Sequence, residues 1–494
     1  MTATLRRRVD NVVLRWQARL DSEWVDRVLP WLLSAGLFLW LAALALAKAR
    51  SLDGTVDLAA YTQAAWNIRE GHEPVMTVTN GSHVLAQQAA FLFYPIVGVT
   101  YLTTIIPGLL LVQAAALALG IVPLWRIGRR LANLRVGAVA TLAFVYGVYP
   151  TMHNLNLAGF DPAVIALPAL LAACYFGLTG RWRWFAACCV VVVGARADLA
   201  LAVAGLGALL AVEGHRRQGL VTTVAALAWT VVAALVVQPA FGHGAFPHLD
   251  AFAAFGDTPA SALWGMVTHP VEVLSRLVSE QNFNLAVTLF APVVFLPVLA
   301  PRYLLSVLPL QTLYLVADVP TEAVFGKQTI AITAFIFLAT AMALHRLGRM
   351  GVEKITVDPR LLGALLLAGT VFFVRDAASS PYREPWDWGG QDEVDAVRLR
   401  ARDLIPPEAS VRASRSMLQV LAERPVLYQL EQGDRPDPVR AGQDVDVVVL
   451  DEREVPGWDA VDRRVFRLGM QTGGFEVVLD DHDIAVFERR GPPR

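Results

Sequence analysis

The chain has 494 residues, of which 55% are hydrophobic and only 17% charged, with a formal net charge of −1. A mean hydropathy of +0.48 is far too apolar for a soluble protein of this size, and repeated apolar runs of about 15 to 22 residues mark a multi-span membrane protein. No basic stripe suits nucleic acid, and no Walker loop, dinucleotide-type glycine pattern or HExxH helix occurs. Cys174, Cys188 and Cys189 sit inside apolar runs and read as packing residues, neither a disulfide framework nor a zinc site.

Residues 1–27 form a basic N-terminus carrying Arg6, Arg7, Arg8, Arg15, Arg19 and Arg27, followed by "VLPWLLSAGLFLWLAALALA". The "ALA" near its end resembles a cleavage site, but an apolar run of about twenty residues is too long for a signal-peptide core. It reads as an uncleaved first span with its basic end in the cytoplasm.

A large first outer loop, 49–106, follows. It opens with "SLDGTVDLAAYTQAAWNIREGHEP", which reads as a short amphipathic helix rather than a bland connection. Within it, "VLAQQAAFLFYPIVGVTYLTTI" (84–105) is apolar enough to span. Counting it as a span would turn every later arginine cluster to the outside, so it is expected to be interfacial or re-entrant.

Basic clusters at 126–135, 181–184, 215–218, Arg302 and 345–354 then order the remaining runs. About eleven spans result, near 28–48, 107–125, 136–153, 162–178, 183–196, 198–213, 219–238, 284–300, 303–318, 329–345 and 361–375. Roughly 19 Lys and Arg fall inside and about 7 outside, as the positive-inside rule requires. The short pair at 183–196 and 198–213 reads as a hairpin tipped by "ARAD". The C-terminus comes out extracytoplasmic.

From about 376 the composition changes. Residues 376–494 hold 24 acidic and 16 basic residues and no lysine, and strand-like and helix-like stretches alternate as in a small α/β domain outside the membrane. The expected fold class is therefore an α-helical polytopic membrane protein, residues 28–375, with a C-terminal extracytoplasmic α/β domain, 376–494. No internal repeat stands out.

Charges at membrane depth are costly unless paired or placed in a wet cavity, so each is a functional candidate. Asp53, Asp57, His83, Asp161, Arg196, Asp198, Glu322 and Lys327 all fall at outer loops or outer span ends. A carboxylate beside a cavity can take a proton from an attacking hydroxyl, and an arginine's planar fork suits a phosphate. Each residue also has a plainer reading. Asp57 could be an N-cap or first-turn acid, and Asp161 before Pro162 an N-cap. Arg196 and Asp198 could be a local neutralising pair, Lys327 an interfacial lysine and His83 a cap. Trp386 and Trp388 could stack on sugars or anchor at the interface. No spacing signals a metal site, so a divalent cation is possible but unsupported.

The order of these features resembles a widespread bacterial family of polytopic membrane proteins of unknown function, itself distantly similar to the GT-C glycosyltransferases. That family carries a first-loop motif like F-D-L-G-x-x-x-Q-x-x-W followed by G-x-H. Here "VDLAAYTQAAWN" supplies Asp57, Leu58, Gln63 and Trp66, and "GSH" supplies Gly81 and His83. "FDPA" matches an F-H-P-E element with Asp161 and Ala163 substituted, and "RAD" matches K-E-D through Arg196 and Asp198. The resemblance implies an inverting glycosyltransferase of the bacterial plasma membrane. Its donor would be a polyprenyl-phosphate sugar, and its acceptor a cell-envelope glycan, lipid or protein at the outer face. Asp57, or Asp53, would be the base. Arg196 and Lys327 would hold the phosphate, with Asp198, His83, Gln63, Trp66 and Asp161 nearby. Membrane lipids are the expected surroundings, and no ATP is needed. The alternative is a carrier or flippase for a lipid-linked or anionic substrate.

Overall fold

The computed structural model describes residues 21–79, 81–242, 248–318, 326–351, 354–431 and 437–490. Glu322 and most of the N-terminal arginines lie outside the described residues.

The chain begins with α1 (Glu23–Arg50), capped by the Ser22 hydroxyl, which accepts from the Val25 N–H. The first-loop helix α2 (Val56–Glu70) follows, started by Thr55 and closed by Gly71 at φ 81°. The segment 84–105 is broken into short helices, Val84–Gln88 and Phe93–Thr100, and contains no helix of spanning length. Next come α3 (Ile105–Leu131), α4 (Pro162–Leu178), α5 (Trp182–Ala195), α6 (Ala197–Val212) and α7 (Arg216–Phe241). The last long helices are α8 (Lys327–Leu347) and α9 (Pro359–Asp376).

Among the described residues, five helices are long and apolar enough to cross a membrane, namely α1, α3, α7, α8 and the helix that begins at Pro359, while α4, α5 and α6 are shorter apolar helices. The other three expected spans are helical but interrupted, and proline is the reason. Pro150 lacks a donor and holds Tyr149 extended, so 136–153 divides into Val136–Gly147 and Pro150–Leu157. Pro292 and Pro297 flank Val294 and Phe295, both at φ 53°, and end the helix at Phe290. The run 303–318 becomes Pro301–Leu305 and Leu308–Val316.

Helix α8 is the central post: Phe337 receives the edges of Tyr146 and Tyr149, each with ring centroids 5.1 Å apart. Helices α7 and α9 are mostly exposed along their apolar lengths, as faces turned to lipid would be. Where α6 meets α7, a Cβ on Gly219 would lie 2.5 Å from the Gly207 carbonyl oxygen, so only glycine permits this approach.

The C-terminal part adds α10 (Glu393–Leu404), α11 (Arg415–Leu421) and α12 (Ala460–Thr472) to a five-stranded sheet. Its strands are β1 (Val411–Ala413), β2 (Leu427–Gln429), β3 (Val447–Asp451), β4 (Phe475–Asp481) and β5 (Ile484–Arg489), in the order β2-β1-β3-β5-β4. The β1–β2 and β1–β3 pairs are parallel, and β5 runs antiparallel to β3 and β4. All of "VVVLD" in β3 is buried because the sheet is covered on both faces. Val448 and Leu450 pack with Phe466 and Met470 of α12. Val447 and Val449 share a core with α11 and, notably, with Leu58 and Tyr61 of α2.

The sheet and the first loop are thus one packed body. Gln63 is buried in α2; its amide donates to Thr77 Oγ1 (2.7 Å) and the Pro425 carbonyl (3.1 Å) and accepts from the Val78 N–H (3.3 Å). Thr77 in turn bonds both the N–H and carbonyl of Leu427. The chain leaving α9 is held by Asn154, which accepts from Ala378 N–H at 2.7 Å.

Candidate active site

Five separate segments bring charged and polar groups to one end of the helical bundle, the end where α1 gives way to α2; one is the start of α8, which supplies Lys327, and the other four follow. The first is the start of α2. The Thr55 hydroxyl accepts from the Leu58 N–H (3.2 Å) and so occupies the capping position. Asp57, in the first turn, is left with its side chain 42% exposed and paired to Lys327, whose Nζ lies 3.2 Å from Oδ2. The helix dipole favours a carboxylate there, but the cap does not consume it.

The second segment is the loop before α4. Gly159, at φ 112°, lies so close to Thr55 that a Cβ would fall 2.2 Å from its hydroxyl, which is why this loop can lie against the N-terminus of α2. Gln113, in the apolar helix α3, pins the loop: its amide donates to the Gly159 carbonyl at 2.5 Å and accepts from the Asp161 N–H at 3.1 Å. Asp161 is buried, with one oxygen capping Ala163 N–H (2.8 Å) and Oδ2 left without a hydrogen-bond partner among the described residues. Burial pushes this carboxyl above its ordinary range, against the pull of Arg196 and Lys327.

The third segment is the join of α5 and α6. Arg196 is buried, its Nε donating to Asp198 Oδ1 (2.8 Å) and its Nη1 standing 3.9 Å from Asp161 Oδ2. The fourth segment supplies Tyr314 of the helix Leu308–Val316. Its hydroxyl accepts from Arg196 Nη2 at 2.6 Å and donates to Asp198 Oδ2 at 2.5 Å. Tyr314 therefore closes a three-membered ring that fixes the guanidinium plane.

Arg196, Asp198, Tyr314 and Lys327 line one cavity of about 240 Å³, together with Gln87, Gln88 and Ala233. Tyr61 donates to Gln88 Oε1 at 2.9 Å. The wall from α7 is locally a π-helix, Ala233–Val237, a distortion often found at functional sites. Among the described residues no group of three or more His, Cys, Asp or Glu side chains could hold a metal ion.

Sequence reasoning singled out Asp57, Asp161, Arg196, Asp198 and Lys327, and the structure brings these together. It sets four others apart. Asp53 is 75% exposed and faces Lys48 at 3.6 Å, on a different cavity. Gln63 is spent on the loop-to-sheet contact. Trp66 is half-buried against the first-loop core, its ring 5.8 Å from that of His72. His83 caps the helix Val84–Gln88 through Nδ1, which accepts from Leu85 N–H at 3.0 Å, and stacks on Phe241; burial lowers its pKa, against the opposing pull of Glu73. Tyr314, Gln113 and Gln88 are not among the residues that sequence reasoning singles out, because each is an uncharged polar residue in a mostly apolar run. The paired glutamines of "AQQAA" were the one visible signal.

In fold, this largely helical chain with a charged cavity at one end of its helices is similar to solved GT-C glycosyltransferases. The chain belongs to the family of predicted membrane proteins designated DUF2079, whose profile matches residues 48–486. It is similar in structure to ArnT from Cupriavidus metallidurans, solved bound to undecaprenyl phosphate, with TM-score 0.50 and 11% identity over 92% of this chain and 97% of that one. It is also similar to the mycobacterial arabinofuranosyltransferase AftD, with TM-score 0.53 and 14% identity over 93% of this chain but only 40% of AftD. The Archaeoglobus fulgidus oligosaccharyltransferase is a looser match, with TM-score 0.44 and 12% identity over 85% of this chain and 69% of that one. No curated protein matches the chain by sequence. At such identities the likeness is one of fold.

Proposed function

We propose that the protein is a membrane glycosyltransferase that moves a sugar from a polyprenyl-phosphate carrier to a hydroxyl acceptor at the outer face of the plasma membrane. The observation that carries this reading is the meeting of Lys327, itself paired with Asp57, and the fixed Arg196 fork at one cavity. A carboxylate base beside two phosphate-binding cations is the minimal equipment for displacing a phosphate from an anomeric carbon.

Asp57 takes the proton of the acceptor hydroxyl, whose oxygen attacks the anomeric carbon. The bond from that carbon to the phosphate oxygen breaks, and its electron pair leaves on the lipid phosphate. Lys327 and Arg196 offset the charge that grows there. In the resting Asp57–Lys327 pair the carboxylate is occupied by the ammonium; a phosphate that draws the ammonium away frees Asp57 for the acceptor hydroxyl. Arg196 need not move: Tyr314 and Asp198 hold its plane ready, which lowers the reorganisation the reaction requires. The donor already carries the driving force, so no ATP takes part.

Purified protein supplied with polyprenyl-phosphate sugars and cell-envelope acceptors should transfer sugar, and Asp57→Asn should lose about 10²-fold or more of the rate. Undiminished transfer by that variant removes Asp57 from the role. Uptake of labelled lipid-linked substrate into proteoliposomes without any transfer would favour a carrier instead.

A further inference from the structure

The opposite end of the bundle holds a second built cavity, of about 510 Å³, between the start of α1 and the end of α3. Its walls are two facing helical stripes, one including Arg27 and Trp31 and the other including Trp125, Arg126 and Arg130. The whole of α1, 28 residues or about 42 Å at the helical rise, separates it from Asp57. This end is therefore the other membrane boundary, and the basic-residue bias makes it cytoplasmic.

Five of the eleven lining side chains are basic and two acidic. The two acids are already committed. Asp26 accepts from Arg129 Nε at 2.6 Å and from the Trp125 indole at 3.1 Å, and Glu23 pairs with Arg27 at 3.2 Å. Buried Arg129 is further spent on Asp21 at 2.8 Å and the Leu134 carbonyl at 2.7 Å. Lys354 donates to the Arg129 carbonyl at 3.1 Å and to Asn133 Oδ1 at 2.9 Å, which leaves Arg126 and Arg130. Among the described residues neither has a carboxylate partner, and Arg130 has only the Tyr175 hydroxyl at 3.4 Å. They stand about one turn apart, Arg126 just before and Arg130 within a π-helical turn, Ile127–Leu131. That irregular turn lets Arg129 point into the protein while its neighbours stay half-buried and exposed.

We propose that Arg126 and Arg130 bind the phosphodiester of an anionic phospholipid of the inner leaflet. Two paired guanidinia suit a phosphate, and basic pockets between spans on this side are suited to anionic headgroups. The lipid source is favoured over a soluble phosphate by the cavity's other wall. Trp31 is 52% exposed on a helix whose apolar stretch is only 33% buried, so the groove opens sideways toward acyl chains with an interfacial aromatic at its edge. The inference does not depend on what the outer site does.

The test is native mass spectrometry of full-length, delipidated protein titrated with phosphatidylglycerol, phosphatidylethanolamine or inorganic phosphate. Wild type should hold one phosphatidylglycerol in preference to phosphatidylethanolamine. Arg126→Gln with Arg130→Gln should weaken it by about fivefold for each arginine, while Arg126→Lys with Arg130→Lys should keep most of the binding. The single Arg126→Gln variant serves if the double variant does not fold. Equal phosphatidylglycerol binding by wild type and the glutamine variants overturns the site. Competition by inorganic phosphate at the lipid's own concentration overturns the lipid assignment.

Discussion

Lys327 meets Asp57 across 270 residues of sequence, its ammonium 3.4 Å and 3.2 Å from the two carboxylate oxygens. The pair is half-open to solvent, at 31% and 42% side-chain exposure. An ion pair so exposed contributes little to stability. Lys327→Met should therefore leave the thermal midpoint nearly unchanged while lowering transfer by about 10²-fold, the cost of removing one charge-stabilising donor. Steady-state kinetics beside a thermal melt would separate the two effects; a variant with lower stability and normal transfer would make Lys327 structural.

Tyr314 is expected to act by positioning. Tyr314→Phe deletes the hydroxyl that joins Arg196 to Asp198 and leaves buried polar groups short of a partner, at about 1–3 kcal/mol. The loss should fall on kcat more than on the KM for acceptor. A rise in acceptor KM alone would contradict this assignment.

Gln63 is expected to matter for cohesion and not for chemistry. Gln63→Ala frees the Pro425 carbonyl and the Val78 N–H that it holds. Hydrogen exchange should then quicken in 75–79 and 424–428 before any other change. Exchange confined to the Lys327 region would place Gln63 in the charged site after all.

The sheet should lose stability in acid. Burial alone would raise the Asp451 carboxyl, but hydrogen bonds from Arg453 and Ser416 outweigh it and hold the group below its ordinary value. The folded state thus prefers the ionised form. Its contribution is complete above the unfolded value near ~3.9 and fades as pH falls through the lower folded value. Asp451→Asn should cost about 1.5–3 kcal/mol near neutrality, and its gap to wild type should close as pH falls through the lowered folded-state value. Unfolding curves of both proteins across that range check this; a gap that persists in acid would deny the linkage.

Hydropathy and arginine placement made the helical segments legible because burying apolar length and keeping arginines on one side are local properties. The interruptions at Tyr149–Pro150 and around Pro292 and Pro297 were passed over, since an average over a window hides a single missing donor. In the site, Arg196, Asp198 and Asp161 were readable as charges at span ends. The misplacement of Gln63 has a different cause: its partners at Arg424 and Pro425 stand 361 and 362 residues away, and nothing in the motif distinguishes a side chain facing a cavity from one facing a sheet. Tyr314 and Gln113 carried no signal because an uncharged polar residue in "LQTLYLV" or "LLLVQAAALAL" looks the same whether or not it organises an arginine or a loop.

The central claim is tested most directly by determining the structure with a polyprenyl phosphate bound. The account predicts phosphate density within hydrogen-bonding distance of both Lys327 and Arg196, with the ammonium drawn off Asp57 and the prenyl chain leaving past α7. Phosphate bound elsewhere, with the Asp57–Lys327 pair still closed, would contradict it.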